Sequence, residues 1–246
     1  MNRPQTASPI VLLRHPRTTE GADPYVQALQ PLSDSVPCIP VLAFDIDSPP
    51  TLSVLLARNE RYDALLCTSP RAVKALEQTM PSDHPDYAHW TRIPTYVVGP
   101  RTARAVSAWG GRPVGAEAGS AEALAEQVTA DAPGPLLFLS GNRRRSTLPR
   151  AFVEAGQVFD EVEVYRTRTR HDIALPDPPA WLVFFSPSGI EAVQASGHAL
   201  GDYHCAAIGP TTAAALRDRG AHVHAVAEAP TPEALRTALR DASVSP

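Results

Sequence analysis

Short apolar runs alternate with helical patterns along most of the chain. Each apolar run is typical of a buried strand, and the stretches of about ten to fifteen residues between the runs place apolar residues at helical spacing. The clearest strand patterns lie at 10–13, 62–67, 95–98, 135–139 and 159–166. Residues 81–93 show neither pattern and are predicted to form a polar connection. Strands that alternate with helices predict an α/β protein with parallel sheets covered by helices on both faces.

Pairs of short segments recur in the same order in the two halves of the chain. The pairs are 65–73 with 184–193, 97–105 with 207–215, and 121–124 with 232–235. The first two pairs run from an apolar strand pattern through a Ser-Pro or Gly-Pro turn into a helix pattern. Repetition of such units in one order indicates an internal duplication.

The duplication predicts two domains. If the opening strand and helix, at 8–40, pack with the second half, the chain leaves for an inserted domain near Phe44 and returns near Tyr165. Two antiparallel crossings would then form a two-stranded β linker. We therefore expect one parallel-sheet α/β domain from 1–42 with 168–246, and another from 43–167. Since ligands of such sheets bind beyond the carboxyl ends of the strands, an active cleft is expected between the domains.

Each copy of the first repeated segment ends its strand at a serine followed by proline, Ser69-Pro70 and Ser186-Pro187. A serine at this place caps a helix through its side-chain oxygen, and proline suits the first helical position. The helix start would then present N–H donors and partial positive charge, which suit a carboxylate or a phosphate. Two such starts suggest an extended anion, while the alternative that Ser-Pro only begins a helix stays open.

Composition excludes several classes of function. A net charge of −4 over 246 residues argues against a nonspecific nucleic-acid binder, which needs a broad basic surface. Cys38, Cys67 and Cys205 sit in or beside apolar runs, as buried thiols of a reducing compartment do. They lack zinc spacing, and we expect no metal site. No signal-peptide core and no run near the ~20 apolar residues of a membrane span occur, so we expect a cytoplasmic protein with no membrane partner.

Arginines occupy several predicted strand ends. Arg14, Arg71 and the run Arg143-Arg144-Arg145 follow strand patterns at the proposed cleft. Guanidinium groups there could hold carboxylates in bidentate fashion, and ordinary surface solvation is the equal alternative. The run is no phosphate-binding P-loop, because no Gly-Lys-Ser or Gly-Lys-Thr follows at the required spacing.

Hydroxyl groups supply the remaining candidates. Thr102, Thr211 and Thr212 fall in predicted first helical turns, where they could bind a carboxylate or simply serve as helix residues. Tyr165 lies at the predicted crossing between domains, where its phenol could pack or could donate a proton to a ligand. The sequence shows no Ser/His/Asp arrangement, no Cys/His pair and no dinucleotide fingerprint, which favours chemistry without a strong nucleophile.

An ordered set of short motifs spans nearly the whole chain. They are Asp23-Pro24-Tyr25, Ile39-Pro40-Val41, Thr68-Ser69-Pro70-Arg71-Ala72-Val73, Val97-Val98-Gly99 with Thr102-Ala103, Gly141-Asn142, Val164-Tyr165-Arg166-Thr167, Phe184-Phe185-Ser186-Pro187-Ser188-Gly189, Ala206-Ala207-Ile208-Gly209-Pro210-Thr211-Thr212-Ala213 and Pro230-Thr231-Pro232-Glu233-Ala234-Leu235. Each motif is weak alone, but in this order they resemble the uroporphyrinogen-III synthase family.

The resemblance implies two α/β domains with a two-stranded linker and a lyase that needs no metal or organic cofactor. The implied substrate is hydroxymethylbilane, a linear tetrapyrrole with eight carboxylates. Loss of its hydroxyl as water would give an azafulvene, and attack on the substituted carbon of ring D would give a spiro intermediate. That intermediate reopens and closes with ring D inverted, yielding uroporphyrinogen III for haem biosynthesis.

The resemblance also assigns residues. Tyr165 is expected to assist departure of the hydroxyl. The residues expected to bind the substrate are Ser69, Arg71, Thr102, Asn142, Arg143, Ser186, Ser188, Gly189, Thr211 and Thr212. Arg143 departs from the family pattern, because its position there is variable. We expect a monomer with transient hand-over of substrate from the upstream deaminase. The alternative is a non-catalytic tetrapyrrole-binding or anion-binding module with the same fold.

Overall fold

The computed structural model describes residues 8–16, 22–131, 134–144 and 146–244. The strands are β1 (Ile10–Leu13), β2 (Leu42–Ile46), β3 (Ala64–Cys67), β4 (Pro94–Val97), β5 (Arg112–Val114), β6 (Leu136–Gly141), β7 (Phe159–Thr169), β8 (Trp181–Phe184), β9 (His204–Ala207) and β10 (Val223–Val226). The helices are α1 (Pro24–Leu29), α2 (Pro50–Leu56), α3 (Pro70–Thr79), α4 (Tyr87–Arg92), α5 (Pro100–Trp109), α6 (Ala121–Asp131), α7 (Thr147–Ala155), α8 (Pro187–Ala195), α9 (Pro210–Arg217) and α10 (Pro232–Val244).

The chain divides into two compact units. Unit 1 consists of Met1–Ala43 with Arg168–Pro246, and unit 2 consists of Phe44–Thr167. Both are mixed α/β structures with parallel strand pairs, as the alternating sequence pattern predicted. No described helix combines the length and the apolar character that crossing a membrane requires.

Unit 1 contains a parallel sheet in the order β1-β8-β9-β10. Alternate residues of β1 face opposite layers: Ile10 and Leu12 join the cluster under α1 and α10, while Val11 and Leu13 join the cluster under α8 and α9. Both faces of this strand are therefore buried, which explains why β1 is apolar throughout rather than alternating.

Unit 2 contains a sheet in the order β2-β7-β6-β3-β4-β5. From β7 to β5 the pairs are parallel. At the β2 edge, the N–H of Asp47 donates to the carbonyl of Val164 at 2.9 Å, and the N–H of Arg170 donates to the carbonyl of Val41 at 2.9 Å. Residue numbers increase along β2 while those of the paired residues in β7 decrease, so the two strands are antiparallel.

The predicted polar connection at 81–93 was wrong in part, because helix α4 lies within it. Trp90 is fully buried in this helix, and its indole Nε1–H donates to the carbonyl of Leu56 at 3.1 Å. The phenol of Tyr87 donates to the carbonyl of Trp109. Tertiary contacts of two aromatic residues thus hold a helix of only six residues, too short for a periodic pattern.

Candidate functional site

In each unit, predicted site residues gather at the carboxyl edge of the sheet. In unit 2, β3 leads into Ser69 and the neighbouring β6 ends at Gly141 beside Asn142. In unit 1, β8 leads into Ser186, and the neighbouring β9 leads into the start of α9. Because parallel neighbours end at the same edge, each unit concentrates helix starts where α/β proteins bind ligands.

The start of α3 is closed by its own cap. Ser69 is 8% exposed, and its Oγ accepts a hydrogen bond from the N–H of Arg71 at 3.3 Å. The carbonyl of Ser69 accepts from the N–H of Ala72 at 3.0 Å, and Pro70 has no N–H to offer. The predicted cap at Ser69 is therefore confirmed. The cap uses the N–H of Arg71 and the Ser69 carbonyl uses that of Ala72, so fewer donors than predicted remain unused at this helix start.

The corresponding serine of unit 1 behaves differently. Ser186 begins α8 but makes no side-chain cap, and its Oγ lies 2.7 Å from the Oγ of Ser188. The predicted side-chain cap at Ser186 is therefore wrong, since the two hydroxyls bond to each other. The Ser186 side chain therefore accepts no hydrogen bond from the backbone N–H groups of the first turn of α8, in contrast to Ser69 at α3.

Gly189 has a packing role at the same helix start. A Cβ on this buried glycine would lie 3.3 Å from Cδ1 of Phe184 and 3.6 Å from Cβ of Leu13. Its N–H donates to the carbonyl of Ser186 at 3.1 Å. The absence of a side chain lets α8 approach the sheet closely. Its expected contact with substrate stays a prediction.

Glycine replaces serine at the starts of α5 and α9. Gly99 and Gly209 precede these helices, and neither helix has a side-chain cap. Thr102 and Thr212, in the first turn, are only 3% and 4% exposed, whereas Thr211 is exposed. The accessible hydroxyl among the predicted threonines is thus that of Thr211.

Tyr165 and Arg71 interact electrostatically in unit 2. The guanidinium of Arg71 lies 3.3 Å from the ring centroid of Phe44, a cation–π contact. Burial lowers the pKa of Arg71, the ionisable Tyr165 raises it, and the charge of Arg101 lowers it again. The phenol of Tyr165 therefore lies within electrostatic reach of a half-buried cation.

Asn142 ties the chain beyond Tyr165 in place. Its Oδ1 accepts from the N–H of Thr167 at 2.8 Å, and its Nδ2 donates to the carbonyl of Thr167 at 3.3 Å. Its own N–H donates to the carbonyl of Tyr165 at 3.3 Å. Asn142 therefore continues the pairing of β6 with β7, and its expected contact with substrate stays a prediction.

The arginines that follow β6 differ in their surroundings. Arg143 is exposed, whereas Arg144 forms a bidentate ion pair with Glu161, its Nη2 lying 2.9 Å from Oε2. Arg145 lies outside the described residues. The charge of Arg144 is therefore balanced by Glu161, and the expected contact of Arg143 with substrate stays a prediction.

Arg14 has a structural partner. Its Nη2 lies 2.5 Å from Oδ2 of Asp23, and the two side chains are 12% and 6% exposed. The guanidinium also lies 5.0 Å from the ring centroids of both Tyr25 and Phe185. Asp23 in addition caps α1 by accepting from the N–H of Tyr25 at 3.0 Å. Arg14 therefore stabilises the packing of unit 1. The cap of α1 was recognisable in the sequence from the Asp-Pro-Tyr motif.

Two residues that interact with Arg71 were missed from the sequence. Phe44, under the guanidinium of Arg71, carried no recognisable signal because it is far away in the chain. Arg101 follows Pro100 at the start of α5 and influences Arg71. Its place in a Gly-Pro-Arg-Thr helix start could have marked it as a candidate.

The described parts of the chain contain no cluster of three or more His, Cys, Asp or Glu that could hold a metal ion.

Comparison with known proteins identifies the family. The family model described as uroporphyrinogen-III synthase HemD matches residues 23–236. The chain belongs to the uroporphyrinogen-III synthase family. The predicted resemblance is thereby confirmed, and the members of this family are cyclizing hydro-lyases that act on a small-molecule tetrapyrrole.

A curated protein and two solved structures are similar to this chain. A uroporphyrinogen-III synthase of Saccharomyces cerevisiae is 29% identical over 209 residues, which cover 71% of this chain and 74% of the yeast protein. The crystal structure of uroporphyrinogen-III synthetase from Helicobacter pylori has a TM-score of 0.59 at 19% identity, covering 95% of this chain and 99% of that one. A mutant synthase from Thermus thermophilus has a TM-score of 0.49 at 18% identity, covering 96% and 99%. The Helicobacter pylori structure shows the shared α/β fold.

Proposed function

We propose that this protein is a uroporphyrinogen-III synthase that cyclises hydroxymethylbilane and inverts ring D. The observation that carries this proposal is the family match, which extends over residues 23–236. The described geometry supports it, because the carboxyl edge of each sheet presents helix starts suited to an extended polyanion. The family's role places the product in haem biosynthesis.

In the proposed mechanism, the phenol of Tyr165 gives its proton to the departing hydroxyl of the bilane. The C–O bond breaks, water leaves with the electron pair, and the pyrrole nitrogen loses its proton as the azafulvene forms. That proton restores the phenol. The positive charge of Arg71, which interacts electrostatically with Tyr165, would stabilise the transient phenolate.

Inversion of ring D depends more on how the bilane is folded in the site than on a second reactive side chain. Attack by the substituted carbon of ring D requires the bilane to be folded into one shape, and holding reacting groups together supplies much of a barrier's reduction. We assign the holding of substrate carboxylates to the residues expected from the sequence to bind the substrate, although Arg143 stands at a position that varies in the family. They are Ser69, Arg71, Thr102, Asn142, Arg143, Ser186, Ser188, Gly189, Thr211 and Thr212.

We also propose that the two units arose by duplication and that β2 and β7 form the linker between them. The antiparallel pairing at Asp47 and at Arg170 supports this, because the unit boundaries fall inside these two strands. A single substrate that engages both units, the monomeric state, the cytoplasmic location and hand-over from the deaminase stay predictions.

The test is a product assay. Hydroxymethylbilane generated freshly by its deaminase is given to the purified protein, the products are oxidised, and the two uroporphyrin isomers are separated. A dominant type III isomer is the expected result. Only type I, at the rate seen without protein, would overturn the proposal and favour the non-catalytic binding module.

A further inference from the structure

The ring of Tyr165 lies directly against Gly141. In the ladder between β6 and β7, Ser140 pairs with Glu163 but Gly141 pairs with Tyr165, so β7 carries one extra residue, Val164, at this point. Such a bulge changes the direction in which the following side chain points. Here the bulge puts Tyr165, in place of Val164, beside the last residue of β6.

The contact leaves no room for a side chain at Gly141. A Cβ built on this residue would lie 2.7 Å from the hydroxyl oxygen of Tyr165 and even closer to its ring carbons Cζ and Cε2. Real Cβ atoms essentially never come within 3.0 Å of another group. The backbone of Gly141 is not in the left-handed region, and the three atoms nearest to a Cβ here all belong to the side chain of Tyr165.

Displacement of the ring would move the hydroxyl. Tyr165 also packs against the core cluster that contains Val162 and Val164, and Asn142 holds the carbonyl of Tyr165 through its own N–H. The main chain of Tyr165 is thus held by the sheet. If a side chain were added at Gly141, the phenol ring of Tyr165 is therefore the group that would move. The phenol would then leave the position that it has against Gly141.

We propose that Gly141 is a positioning residue for Tyr165. Because Gly141 has no side chain, the phenol of Tyr165 can pack against the backbone at the end of β6. This inference rests on the proposed function in one respect, the role of the Tyr165 hydroxyl in catalysis. The steric part stands independently, because it concerns only the packing of two residues in unit 2.

The steric part is tested by melting temperatures, without substrate. Gly141→Ala should lower Tm by roughly 3–10 °C in the wild-type background. In the Tyr165→Ala background, where the ring is absent, the same change should lower Tm by less than about 2 °C. Gly201→Ala is the matched control, since a Cβ there meets nothing within 4 Å. Equal losses of Tm from Gly141→Ala in both backgrounds would overturn the inference.

The catalytic part is tested by turnover and by the ratio of type III to type I product. Gly141→Ala should reduce kcat roughly ten- to hundredfold with a smaller change in KM. In the Tyr165→Phe background it should change kcat by less than about twofold, because the hydroxyl it displaces is already gone. A similar loss of kcat in both backgrounds would show that Gly141 does not act through the phenol.

The two proposals fail in different ways. If the wild-type protein forms no type III isomer, the proposed function fails while the melting experiment still decides whether Gly141 seats the ring. If the wild type forms type III and Gly141→Ala matches its kcat and isomer ratio, only the positioning role is overturned. Should Gly141→Ala fold poorly, the double variant with Tyr165→Ala restores folding only when the ring is the cause.

Discussion

The imidazole of His224 takes the place of a backbone carbonyl in the ladder between β9 and β10. Its Nδ1 accepts a hydrogen bond from the N–H of Cys205 at 3.1 Å. The register shifts between Val223 and Ala225, so His224 is the extra residue of a bulge and its own side chain completes the pairing. An Nδ1 that accepts must be unprotonated, so this bond exists only with neutral imidazole.

We therefore expect unit 1 to lose stability as pH falls. Burial lowers the pKa of His224, and the nearby His204 and His222 lower it further when charged; these effects outweigh hydrogen bonds with the backbone of Cys205 and His222, which raise it. Between the unfolded pKa near ~6.5 and the lower folded pKa, the unfolded chain binds the proton more readily, so the free energy of unfolding decreases with falling pH.

The measurement is the urea midpoint at several pH values from about 7 to about 5. His224→Asn keeps an acceptor near Nδ1 and removes the titration, so its midpoint should fall less over this range than that of the wild type. His171→Asn, at an exposed position, is the control and should follow the wild type. Parallel curves for His224→Asn and wild type would contradict the expectation.

Removal of the Tyr165 hydroxyl should slow turnover without unfolding the protein. Tyr165→Phe keeps the ring against Gly141 but removes the proton donor, so kcat should fall by more than about tenfold while Tm changes little. Tyr96→Phe is the matched control, because the phenol of Tyr96 donates to Asp131 at 2.9 Å and has no assigned role in catalysis. Wild-type turnover in Tyr165→Phe would remove Tyr165 from the mechanism.

Arg71 should matter for substrate affinity and for the phenolate. Arg71→Met removes the charge over Phe44 but keeps an apolar stem, so KM for the bilane should rise about tenfold and kcat should fall as well. Arg71→Lys should recover part of both, since the charge returns without the planar contact. Arg150→Met, which removes an exposed surface charge, is the control. The idea fails if Arg71→Met and Arg150→Met give the same kinetic constants.

The two serines that precede proline should differ in their effect on stability. Ser69 caps α3 through its Oγ, so Ser69→Ala should cost about 1 kcal/mol of unfolding free energy. Ser186 makes no such cap, so Ser186→Ala should cost less than about 0.5 kcal/mol. Urea unfolding of both variants gives the comparison, and equal losses would mean that the hydroxyl pair of Ser186 and Ser188 stabilises the protein as much as the cap does.

The sequence predicted much of the fold, because strand and helix patterns are local. The strand at 10–13 and the helix starts at Pro70 and Pro187 agree with the structure. The local pattern did not show α4, since Trp90 is held by a carbonyl more than thirty residues away. The ion pair of Arg14 with Asp23 was likewise missed, because a side chain's partner is decided by how elements pack.

The candidate site was predicted by residue type but not by arrangement. Ser69 and Ser186 read alike in the sequence, yet one hydroxyl caps its helix and the other bonds to Ser188. The seat of Tyr165 depends on a bulge that shifts the pairing of β6 and β7 by one residue. Alternation within β7 gives no sign of such a shift, which arises only when two strands meet.

The pairing of β1 with β8 constrains the order in which the protein can fold during synthesis. Ile10 pairs with Trp181, so the first strand leaves the ribosome long before its neighbour has been made. The intervening unit 2, Phe44–Thr167, has its own core and can fold while the nascent chain is still growing. Until Trp181 emerges, β1 can pair only along the edge where Leu12 bridges Cys38, and its other edge presents unpaired N–H and C=O groups to which a strand of another chain could add.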